Sequence, residues 1–87
     1  MQKNLVGTAL CKKQVIRYYL LAELLEGETE SYGVSIEYRG EEMTVHAVTS
    51  VPKRMEALVE LLRRGCVTPV TARDVIEDWI LDSSCNF

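Results

Sequence analysis

Residues Tyr32–Val48 read "YGVSIEYRGEEMTVHAV". Tyr32, Val34, Ile36 and Tyr38 alternate with Gly33, Ser35, Glu37 and Arg39, the period of a strand with one buried face. Arg39-Gly40-Glu41-Glu42 reads as a turn, because Gly40 supplies the positive φ that tight hairpins need. The return strand runs from about Met43 to Val51. An even loop length sets Met43, Val45, Ala47 and Val51 on the face of Val34 and Ile36. An odd one would turn Glu42, Thr44 and His46 inward instead. A one-residue slip exchanges the two faces, so the apolar count selects the even register. His46, the single histidine, then falls on the outer face beside Ser35, Glu37 and Thr44.

Upstream, "QVIRYYLLAELLEGETES" offers Ile16, Tyr18, Leu20, Ala22 and Leu24 as a wholly apolar strand face. "LLAELLE" would also serve as a helix, but the β-branched and aromatic start favours strand. Leu25 to Ser31 is the expected connecting loop. "NLVGTALC" could add a further strand within residues 1–13, turning at Lys12-Lys13. Downstream, the period becomes helical. Pro52 suits a first turn, and Met55, Leu58, Val59 and Leu62 form one stripe. Gly65 is expected to close this helix after Arg63 and Arg64. Thr71 reads as the N-cap of a second helix to about Leu81, with Ala72, Val75, Ile76, Trp79 and Ile80 inward. Residues 82–87 read as a tail. The sum is a single α+β domain over residues 1–87: an antiparallel meander of three or four strands, then two helices packed on one face of the sheet.

Eighty-seven residues, 26% of them charged and 47% hydrophobic, suit one modest core. A net charge of −3 gives no global attraction to nucleic acid or anionic membrane. The longest apolar run, Tyr18 to Ala22, is far too short to span a bilayer, and no signal-peptide pattern opens the chain, so the expected location is cytoplasmic.

Candidate chemistry is sparse. Cys11, Cys66 and Cys85 form no CxxC pair, and a zinc site wants close-spaced Cys or His ligands, so no metal is expected. No phosphate-cradling glycine motif is present, and no cofactor is expected. His46 with Glu37 or Glu42 could act as a base, but the outer face of a hairpin offers no pocket. Glu41-Glu42 and Glu77-Asp78 read as solvated charges. Lys12, Lys13, Arg17, Lys53, Arg54, Arg63 and Arg64 could form an anion-binding patch, yet Glu56 and Glu60 are mixed among them. The clearest anomaly is apolar: Val15, Tyr19, Leu21 and Val48 are expected on the back face, away from the helices. A group of that kind marks a contact surface unless a loop, the N-terminal segment or the C-terminal tail covers it.

"RYYLLAEL", "YGVSIEY" and "LLRRGCVTPVTARDVIEDWI" resemble a family of small bacterial proteins of unknown function, found in clostridia and related Firmicutes. The likeness covers Arg17 to Ile80, and its most specific marks are Tyr32-Gly33 and "VTPVTARDVIEDWI". It implies a small cytoplasmic bacterial protein and carries over no activity, cofactor or catalytic residue.

The leading expectation is therefore a protein-interaction or regulatory module, not an enzyme, self-associating through its sheet or binding another protein. The alternatives are a nucleic-acid-binding module using Lys12, Lys13, Arg17 and the first helix, and a small enzyme centred on His46.

Overall fold

A computed structural model describes residues 2–25 and 29–85, without the side chains of 25 and 82–85. Four strands come first: β1 Gln2–Cys11, β2 Gln14–Leu25, β3 Thr29–Tyr38 and β4 Glu41–Thr49. They form one antiparallel sheet in the order β1-β2-β3-β4. Two helices follow, α1 Pro52–Arg64 and α2 Pro69–Cys85. Both pack on one face, here called the front. The expected α+β meander is the observed fold, with four strands.

The hairpin parity read from the apolar count holds. Tyr38 pairs with Glu41 across the two-residue turn Arg39-Gly40, and Val34 and Ile36 face Val45 and Met43. Arg39 (φ 53) and Gly40 (φ 80) are both left-handed, as a type I′ turn requires. The possible N-terminal strand is β1, turning at Lys12-Lys13. These two residues also carry positive φ, 49 and 67, without a glycine to ease it.

Each outer strand departs from simple alternation at one point. In β1 the partner of Leu5 is Tyr19 and that of Gly7 is Tyr18, so Val6 is an inserted residue. Lys3 and Leu5 therefore share the back face with Thr8 and Leu10, while Gly7, Ala9 and Cys11 look forward. In β4, Thr49 faces Tyr32 and Val45 faces Val34, so His46, Ala47 and Val48 all stand against Gly33. Ala47 absorbs the bend at φ 53.

This β4 bulge corrects three expectations. Ala47 is exposed, not inward. Val51 lies outside the strand, 45% exposed. Val48 packs on the core side, not the back. Alternation alone could not show it, because two inserted residues preserve parity on either side. Gly33 permits the bulge: a Cβ there would lie 2.2 Å from the Val45 carbonyl oxygen and 3.1 Å from His46 Cα. A glycine inside a strand marks such a close approach.

The core lies between the layers. Ile16, Tyr18, Val34 and Ile36 meet Met55, Leu58, Val59 and Leu62 from α1 and Ala72 and Ile76 from α2. Burying each large aliphatic side chain contributes roughly 1.5–3 kcal/mol. The expected helix stripes are the ones used, with Val75, Trp79 and Ile80 partly buried beside them.

The helix ends differ from the expectation. Gly65 has an ordinary φ of −86, and Cys66, at φ 50, takes the left-handed position. Cys66 N–H donates to the Arg63 carbonyl and Val67 N–H to that of Leu62, the pair of bonds that closes a helix in a Schellman motif. The second helix starts at Pro69, ahead of Thr71. The Thr68 carbonyl accepts from Thr71 N–H and Ala72 N–H, and Pro69 fills the first-turn position where a missing N–H is harmless. Its backbone continues to Cys85, through most of the expected tail; residues 86 and 87 lie outside the described residues. The expected 25–31 loop is shorter too, since β2 reaches Leu25 and β3 starts at Thr29, and 26–28 lie outside the described residues.

Candidate interaction surface

The back face is where the sequence places exposed apolar groups, and its centre, at Tyr19, Leu21 and Ser35, is closed. Lys3 Nζ lies 2.8 Å from Glu42 Oε2 and 4.0 Å from Glu37 Oε2. It stands 4.5 Å above the Tyr19 ring, a cation–π distance. Its partner Glu42 is the main reason its pKa is raised. Glu37 in turn raises the Tyr19 phenol. Nearby, Thr44 Oγ1 donates to Ser35 Oγ at 3.2 Å, and His46 Nδ1 is 2.5 Å from Glu23 Oε1.

The four residues singled out for contact are therefore not one surface. Leu21 is only 1% exposed. It pairs with Gly33, over which the bulge carries His46. Tyr19 is half-buried beneath Lys3. Val48 belongs to the core side. Of the four, Val15 alone is exposed, and it faces Leu10 across the first hairpin.

Exposed apolar residues occur on several elements, and three of them share the outer strand β1. Leu5 is 55% exposed, Leu10 68% and Val6 also open. β1 is an outer strand with no neighbour on its far side among the described residues. Counting from the two-residue turn, where Cys11 and Gln14 are the closing pair, the main-chain groups of Thr8 and Leu10 point away from β2; the Leu10 carbonyl meets Cys66 Sγ, while Thr8 stays open. Natural sheets blunt such an edge with charge, proline, a short strand or a bulge, and β1 carries the Val6 bulge. The one charge of β1, Lys3, is held over the back face by Glu42. Sequence reasoning missed this surface because the Val6 insertion, which moves Leu10 to the face of Leu5, leaves no mark in the alternation.

A second cluster went unforeseen on the front. Tyr18 Oη donates to the Val67 carbonyl at 2.8 Å, and Tyr38 Oη to that of Cys11 at 3.5 Å. Cys66 Sγ lies 4.0 Å from the Leu10 carbonyl oxygen. Burial, with the Cys66 and Cys11 thiols adding to it, pushes the Tyr18 phenol up to about 12.

His46 is separated from these thiols by the thickness of the sheet. Its side chain is 52% exposed and Glu23 holds its ring. The basic residues divide likewise: Arg17 is on the back, α1 on the front. Arg63 is ion-paired with Glu60, and the Arg54 guanidinium lies 5.2 Å from the Trp79 ring centroid. Among the described residues no group of three His, Cys, Asp or Glu side chains is arranged to hold a metal ion. No helix among them is long and apolar enough to cross a membrane.

A family model, the family of unknown function DUF6514, matches residues 2–82. The chain belongs to the DUF6514 family. No curated protein and no solved structure matches it. The match spans all four strands and nearly all of α2, so the bulged sheet and its helical cover together form the DUF6514 unit.

Proposed function

We propose that this DUF6514 protein is a small protein-interaction module that works by strand addition at the β1 edge, with a second copy of itself as the first partner. The reading includes a cytoplasmic, bacterial setting and no catalytic role. One observation carries it: a ten-residue outer strand whose Leu5, Val6 and Leu10 are exposed and whose single charge is engaged elsewhere. Strand addition draws affinity from main-chain hydrogen bonds and specificity from alternate side chains. Two β1 edges are self-complementary about a twofold axis at Thr8, where the outward-facing main-chain groups of Thr8 meet their own copies.

Thr8→Pro tests this. Its N–H points outward, so proline removes a donor needed by the partner and none needed by β2. The wild type is expected to run as a dimer by light scattering and Thr8→Pro as a folded monomer. A wild type that stays monomeric at high concentration contradicts self-association.

A further inference from the structure

The α1–α2 connector brings a thiol back onto β1. The left-handed turn at Cys66 closes α1 and leaves that side chain exposed. Its Sγ lies 4.0 Å from the Leu10 carbonyl oxygen, which belongs to the peptide unit that begins Cys11. Cys11 is half-buried on the same front face, packed beside the core. Both thiols are free. Each is flanked by a main-chain anchor: Tyr38 binds the carbonyl of Cys11, and Tyr18 binds that of Val67, next to Cys66. Both thiols also lie close enough to the Tyr18 phenol to raise its pKa.

We propose that Cys11 and Cys66 are an oxidation site, closing to an intramolecular disulfide when the protein meets hydrogen peroxide and thereby fastening the helix connector to the first hairpin. Cys66, the exposed member, reacts first. Its thiolate attacks one peroxide oxygen, the O–O bond breaks, and the sulfur becomes a sulfenic acid while hydroxide leaves and takes up the thiol proton as water. The Cys11 thiolate then attacks that sulfur. The S–O bond breaks, a second water departs with the Cys11 proton, and the S–S bond forms. Two thiols and one peroxide give one disulfide and two waters; the two sulfurs lose the two electrons that the peroxide gains. A dithiol reductant reverses the step.

The full chain carrying Cys85→Ser, which removes the third thiol, is treated with equimolar hydrogen peroxide, alkylated, and digested with trypsin without reductant. Residues 4–12 and 65–73 are the tryptic peptides that hold Cys11 and Cys66. They are expected joined, to separate on reduction, and to accompany a higher urea midpoint. In Cys11→Ser on the same background, Cys66 is expected to halt at the sulfenic acid and be trapped by dimedone. Oxidised Cys66 with no joined peptide, or joining only between chains, overturns the proposal. So does joining at the same rate in unfolding urea, since the fold would then contribute nothing. The assay reads single chains and stands or falls apart from strand addition.

Discussion

Lys3 on β1 and Glu42 on β4 meet at 2.8 Å although two strands lie between them. Lys3 is level with Leu21 and Gly33, and Glu42 with Glu37 and Arg17. On a flat sheet that offset, three strand spacings across and four residues along, is about 19 Å between Cα atoms. The two side chains cannot jointly span it. The sheet is coiled so that these opposite corners approach over the back face, in the sense that strand twist and the Val6 bulge favour. This coiling covers Leu21 and Ser35, both 1% exposed, and leaves the β1 edge as the open apolar margin.

Lys3→Ala should uncover the Tyr19 ring and lower stability modestly. Both partners of the Lys3–Glu42 pair are substantially exposed, so salt should screen much of the pair's contribution. Urea titrations at low and high ionic strength check this; the wild-type advantage is expected to shrink with salt.

Gly33→Ala should be far more costly. Its Cβ would strike the Val45 carbonyl, which is main chain and cannot rotate away. Forced overpacking of this kind costs roughly 1–3 kcal/mol. Chemical denaturation reads the loss, and an unchanged midpoint would mean that β4 does not ride over Gly33.

Replacing Lys12-Lys13 by Asn-Gly should stabilise the protein. Both lysines hold a left-handed conformation, and Asn-Gly is the pair such a turn prefers. A left-handed conformation costs an ordinary side chain roughly 1–2 kcal/mol per residue, and its relief should be visible as a higher melting temperature.

Tyr18→Phe should cost about 1 kcal/mol by deleting the bond to the Val67 carbonyl. It should also change the alkaline limb. The folded pKa is raised, to about 12, above the ordinary phenol value of 10.0. The neutral phenol therefore favours the fold fully below pH 10, and that contribution is lost as pH rises through 12. Stability measured across this window should fall less steeply in Tyr18→Phe than in the wild type.

Much of this fold was legible in the residues. Val34 and Ile36 opposite Met43 and Val45 admit one register parity, and Gly40 marks the turn. Met55, Leu58, Val59 and Leu62 leave little choice for α1. The contact surface was less legible. Val48 read as a back-face residue, and Leu21 as an exposed one, because period-two counting assumes flat, uninterrupted strands. Val6 and the His46–Val48 bulge break that assumption without altering the apolar pattern, and coiling then covers what remains. Gly33 was the available signal, a glycine inside a strong strand. The Cys11–Cys66 approach is a product of tertiary packing between segments 55 residues apart in sequence, which no local pattern encodes.

The most direct test of strand addition is the solution mass of the wild type beside Thr8→Pro, by light scattering across a wide range of concentration. The account predicts two chains per particle for the wild type and one for a folded Thr8→Pro variant. A single-chain mass for both, or a dimer untouched by the proline, would contradict it.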